Sequence, residues 1–201
     1  TIFVFIHLNI IMKNLLIALT FLISNFAFQQ DFEGEITFRV DYPELMLSSL
    51  PTQLQDSAKI TRKIIKNDRI RTETYSQMGK QVLLEKIGSD TSYLLMNLMG
   101  EYLALEMISP EGETKKIDTL KVAGKSEKFF GFKCKRATYT KNKKEYSILF
   151  TTELSADYGN SFKSLEGMAL VFPIVLNEKD VLVYTCTSIE KKEISDSSFE
   201  I

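Results

Sequence analysis

The chain predicts a mainly β, α+β domain: one curved antiparallel sheet with one or two short helices packed on its concave face. Three observations carry that expectation. Turn signals recur at short, even intervals, at Asn67-Asp68, Gly79, Gly88-Ser89-Asp90, Gly100, Pro110 with Gly112, Gly124, Asn142, Gly159-Asn160 and residues 177–180. The runs between them are rich in β-branched and aromatic residues, and segments of roughly 8–12 residues punctuated this way mark antiparallel sheets and barrels. No long helical pattern is present to supply the crossovers that parallel strands require.

Taken from the start, residues 12–27 open on Met12-Lys13, run through an apolar stretch from Leu15 to Ile23 and end at the small residue Ala27. That is the pattern of a secretory signal peptide, so the domain is expected in the periplasm, the outer envelope or the medium. Residues 1–11 read as upstream translation of the open reading frame, because Met12 followed by Lys13 makes a better start than Thr1. A competing reading joins residues 2–23 into one membrane-spanning helix, for which about 20 apolar residues suffice. Lys13 in the middle of that run weighs against it, and after cleavage no transmembrane span is expected. No cysteine stands near the cleavage site to carry a lipid.

Cleavage after Ala27 leaves 174 of the 201 residues (28–201), one domain with enough chain for a real core. The leader holds one lysine and no acid, so 24 basic residues face 26 acidic ones in the remainder. A near-neutral domain argues against nucleic acid, which needs a basic face. His7 is the sole histidine and leaves with the leader.

The first strand is expected at 35–42, where Ile36, Phe38, Val40 and Tyr42 alternate with Glu35, Thr37, Arg39 and Asp41. One dry face and one wet face suit an antiparallel sheet. Next, Leu45, Met46, Leu47, Leu50 and Leu54 form an apolar stripe near helical spacing, interrupted by Pro51. Proline fits the first turn of a helix and not its interior, so two short helices are expected, at about 44–49 and 51–57. A loop with some helical turns is the alternative. Residues 93–96 and 102–105 are apolar on both faces, which predicts a hairpin covered on both sides. Tyr146, Ile148 and Phe150 repeat the alternation of the first strand.

The chemistry is bounded mainly by what is missing. Without histidine there is no Ser-His-Asp triad, no Cys-His pair and no His-bearing zinc site. Neither a Gly-rich phosphate loop nor a G-x-S-x-G elbow occurs. Cys134 and Cys186 are too far apart in sequence for C-x-x-C chemistry. A disulfide between them would need α-carbons within about 7 Å; two buried thiols acting as small hydrophobes are favoured, since a domain of this size needs no staple. Only paired carboxylates remain for an enzyme, and a linear sequence hides spatial pairs, so a carboxylate hydrolase stays as a third class. No cofactor is expected. Lysines at 133–136, 141–144 and 191–192 are read as solvated strand faces and guards of exposed edges. Methionines 46, 96, 99, 107 and 168 either fill a core or line an adaptable greasy surface.

At Gly131-Phe132-Lys133-Cys134-Lys135-Arg136-Ala137 the chain resembles the mid-chain signature of a family of exported Bacteroidetes proteins, the domain-of-unknown-function family numbered 4412. Residues 32–38 resemble its opening strand, 146–154 its next strand and turn, and 187–201 its closing segment. The resemblance covers essentially the whole mature chain. Since the family usually runs on past that last motif, the sequence is expected to be clipped at its C-terminus. The resemblance implies similarity to the LolA/LolB lipoprotein carriers: a half-barrel wrapping short helices around an apolar cavity. It brings no catalytic residues. Cys134 matches its signature cysteine, whereas Cys186 stands where none is expected, which weakens the disulfide further.

The reading is therefore an exported, non-enzymatic protein that binds a lipid or a lipidated partner, with Phe38, Val40, Met46, Leu50, Leu54, Tyr93, Leu95 and Leu105 around an apolar cavity. The alternative is an envelope interaction module with a filled core and no small ligand.

Overall fold

The computed structural model describes residues 32–98, 100–108, 120–159, 162 and 164–201. The upstream extension at 1–11, the signal peptide at 12–27 and the turn expected at Pro110 and Gly112 lie outside them. In chain order the elements are β1 (Gly34–Asp41), α1 (Glu44–Ser48), α2 (Thr52–Ala58), β2 (Ile60–Lys66), β3 (Arg69–Ser76), β4 (Gly79–Lys86), β5 (Thr91–Leu98), β6 (Glu101–Ile108), β7 (Leu120–Phe129), β8 (Phe132–Lys141), β9 (Lys144–Thr151), β10 (Met168–Val175) and β11 (Val181–Lys191).

All eleven strands join one antiparallel sheet in the order β6-β5-β4-β3-β2-β1-β11-β10-β9-β8-β7. Nine of the ten ladders join strands adjacent in sequence, and the tenth is a seam where β1 lies against β11, Gly34 facing Lys191 and Ile36 facing Ile189. Tight hairpins sit where turn residues demanded them. Asn67 adopts φ 54° between β2 and β3, and Asn142 and Lys143 adopt 51° and 62° between β8 and β9, values that favour asparagine and glycine. Gly124 is the exception among the expected turns. It falls inside β7, where the pairing with β8 slips between Val122 and Ser126, because glycine in an edge strand marks a bulge as readily as a turn.

The sheet is not closed, and it is not flat. Its edges β6 and β7 are joined by residues 109–119, and twelve residue steps span at most about 43 Å. Ten strand spacings would hold those edges about 48 Å apart in a flat sheet. The sheet must therefore coil, and its inner face carries the core: Ile36, Phe38, Ile65, Ile70, Cys134, Ile148, Phe150, Leu170 and Cys186 are all buried there.

Both helices form near the expected positions, with Pro43 and Pro51 at their N-caps. They do not plug the concavity. α1 buries no residue and α2 buries only Ala58, while Leu45 is 87 % exposed. The plug comes instead from the β9–β10 connection, whose Leu154, Tyr158, Phe162 and Leu165 all join the core cluster. Its large side chains outcompete a stripe that Pro51 splits into helices too short to dock firmly. The hairpin at 93–105 is likewise not covered on both sides: β6 is a sheet edge, with Tyr102 89 % and Ile108 69 % exposed.

Among the described residues no helix is long and apolar enough to cross a membrane.

Candidate binding cavity

Strands β3 and β10 lie four spacings apart, about 19 Å in a flat sheet. Coiling lets both line a single, partly open cavity of about 270 Å³. One wall is aromatic and comes from β1, β10, β11 and the β9–β10 connection. Phe172 on β10 stacks on its ladder partner Tyr184 on β11, centroids 5.0 Å apart and planes 2° from parallel. Phe38 on β1 meets the Phe172 ring edge-on at 5.8 Å, and Phe162 from the plug meets it at 5.6 Å. Met168, Ala169 and Ile174 complete this side. The opposite wall is polar: Thr61 and Lys63 from β2, Thr72 and Thr74 from β3.

Gly159 and Gly167 from the plug also line the cavity. A Cβ on Gly167 would lie 2.0 Å from the Thr151 carbonyl oxygen, so only glycine lets the plug pass this close to β9.

Lys63 is the unexpected member. It is buried, and Nζ donates to Thr72 Oγ1 at 3.3 Å. Burial pushes its pKa below the usual lysine value, and the charge of Glu85 on β4 partly opposes that shift. The Tyr184 phenol is pushed up to about 12, by burial first and by Tyr42 second, and stays protonated at neutral pH. The lining thus offers one amine, hydroxyls and aromatic faces, with no carboxylate, thiol or imidazole among its residues.

The residues expected around a cavity scatter. Phe38 lines it. Val40 is fully buried on the same face of β1, beyond the lining. Met46, Leu50 and Leu54 sit on or beside α1 and α2, partly exposed and outside the lining. Tyr93 and Leu95 fall on the opposite face of the sheet from Phe38, following the unbroken register from β1 to β5. Leu105 shares the face of Phe38 but lies on edge strand β6, 46 % exposed. Cys134 and Cys186 are both free and buried, and burial drives the Cys186 thiol up to about 12. Among the described residues no group of three His, Cys, Asp or Glu side chains is placed to hold a metal ion.

No family model matches this chain, and no curated protein matches it. Among solved structures, it is similar to PNGF-II in a P21 crystal form at 14 % identity and TM-score 0.45, covering 83 % of this chain and 30 % of that one. The C2 form of the same protein gives 15 % and 0.44, covering 82 % and 29 %. The chain spans less than a third of the length of these structures.

What sequence reasoning missed is the polar wall. Its signal was present: a two-residue turn at Asn67-Asp68 fixes the β2–β3 register, which puts Lys63 opposite Thr72. The β1–β2 pairing then sets Lys63 opposite Ile36 on the dry face of β1.

Proposed function

We propose that this chain is an exported, non-enzymatic binding protein whose coiled sheet, a LolA-like half-barrel, holds an apolar chain in the cavity between β3 and β10. The observation that carries this reading is a partly open space of about 270 Å³ walled by Phe38, Phe162, Phe172, Tyr184 and Met168. Ligand pockets usually run from about 300 to 1,000 Å³, so the size suits one short acyl chain and not several. Each buried methylene is worth about 0.8 kcal/mol, so eight to ten of them give about 6–8 kcal/mol before association costs, the micromolar range at best. Export rests on the 12–27 pattern. Membership of the exported Bacteroidetes family rests on the motifs at 32–38, 131–137, 146–154 and 187–201.

A second reading, an envelope interaction module without a small ligand, is favoured by edge strand β6, which presents Tyr102, Leu105, Met107 and Ile108 to solvent. Native mass spectrometry on protein exported to a periplasm, before and after organic extraction, separates the two. A released mass in the lipid range is expected. A clean apo mass from well-folded protein would move the assignment to the interaction module.

A further inference from the structure

We propose that Lys63 fixes the polar end of the ligand, so that the cavity selects an apolar chain ending in an oxyanion, a carboxylate or a phosphate. This rests on the binding-protein reading and adds the head-group chemistry to it.

Lys63 is 9 % exposed and sits between Ile36 and Thr72 on the inner face. A buried ammonium is expensive, and an apolar residue of similar length there would cost nothing in desolvation. The lysine is not sealed in the packed core, however; it faces the cavity. An ammonium carries three donors, and Thr72 Oγ1 takes one of them.

The neighbours sharpen the reading. Thr72 and Thr74 are successive inner-face positions of β3, and Thr61, also buried, is the inner-face residue next to Lys63 on β2. Their hydroxyls sit on the same wall as the ammonium. Hydroxyls and an ammonium together are hydrogen-bond donors suited to an oxyanion, whose charge-assisted bonds are the strong kind. The facing wall is aromatic and aliphatic. A cavity divided in this way matches a molecule divided in the same way, head on β2–β3 and chain against β10–β11. Glu85, on β4, is the carboxylate whose charge reaches Lys63; it does not belong to the lining, which leaves the cavity side of the ammonium to the ligand.

The test is a competition series on the full chain, stripped by organic extraction and refolded to a native circular-dichroism spectrum. Decanoate, decyl phosphate, decan-1-ol and decyltrimethylammonium are titrated by calorimetry, with inorganic phosphate as the free anion. Decanoate or decyl phosphate is expected to bind about tenfold or more tightly than decan-1-ol, the size of effect a hydrogen bond to a charge gives. The cation is expected not to bind. Lys63→Met should abolish the preference for the anionic head. Thr72→Val, nearly isosteric, should weaken it. Equal binding of all four chains, or a preference that survives in Lys63→Met, overturns the head-group assignment and leaves the carrier reading standing. If no chain binds the folded protein, or inorganic phosphate alone binds, both fail together.

Discussion

Lys63 Nζ and Thr72 Oγ1 lie 3.3 Å apart across the β2–β3 pair, and the two residues are direct ladder partners. This places a buried cation inside a sheet whose neighbouring inner positions are Ile36 and Ile65. Position and partner together make Lys63 a residue that stability alone does not explain.

Lys63→Met is therefore expected to stabilise the unliganded protein at pH 7, by about 1–4 kcal/mol, as replacing buried charge with apolar volume often does. Burial lowers the folded-state pKa of this lysine, with Glu85 partly restoring it. Between that lowered value and the ordinary 10.5, the unfolded chain binds the proton and the folded one does not, so wild-type stability rises with pH there. The advantage of the variant should shrink accordingly as pH approaches 10.5. Urea unfolding at neutral and alkaline pH checks both parts; a variant less stable than wild type at pH 7 contradicts the first.

Phe172 contacts Phe38, Phe162 and Tyr184 at ring distances of 5.0–5.8 Å. Phe172→Ala should cost about 3–5 kcal/mol and lengthen the chain that the cavity accepts. Leu45→Ala, at a residue 87 % exposed on α1, should stay within about 0.5 kcal/mol of wild type. Denaturant midpoints of the pair decide whether the aromatic wall or the helices hold the inner face.

Gly167→Ala pushes a methyl to 2.0 Å from the Thr151 carbonyl oxygen. Backbone must move, so the expected loss is at least the 1–3 kcal/mol of core overpacking. Because Gly167 lines the cavity, ligand affinity should fall as well. An alanine variant of native stability would show that the plug is loosely seated.

The C-terminal segment straps the outer face of β2 and β3. Lys66 Nζ donates to the Ile194 carbonyl at 2.7 Å, Arg71 to that of Ser198 at 2.9 Å, and Arg69 pairs with Asp196. Arg69 first, then Lys66, holds the Asp196 carboxyl below its usual pKa. Its contribution is present above the ordinary carboxylate value and lost as pH falls through the lowered one. Hydrogen exchange should show residues 194–199 losing protection in acid before the β1–β11 seam does. Simultaneous loss in both places would remove the strap as a separate unit.

Much of this fold was legible in the sequence, and physical reasons separate the parts that were from those that were not. Hairpins are local, so Asn67, Gly88, Asn142 and residues 177–180 announced their turns, and Pro51 announced the start of the second helix. Coverage is not local. Whether Leu50 or Phe162 fills the concavity depends on which segment the coiled sheet reaches, and both carry helical spacing of apolar residues. Tyr93, Leu95 and Leu105 read alike as greasy strand residues; only the register of β4, β5 and β6 separates their faces. The cavity escaped for the same reason, since it joins β2–β3 to β10–β11 across the seam.

That seam allows the chain to be rewired. Gly34 faces Lys191, so the beginning of the first strand and the end of the last are already neighbours. Joining them and opening the chain between 109 and 119 would give the order β7 through β11, then β1 through β6, which is the order of the sheet itself. Every pairing would become a hairpin to the next strand, and the single long-range ladder, which must otherwise close a loop of most of the domain, would become local. Relative contact order would drop, and such a circular permutant should fold faster than the natural connectivity, a difference stopped-flow refolding would measure directly.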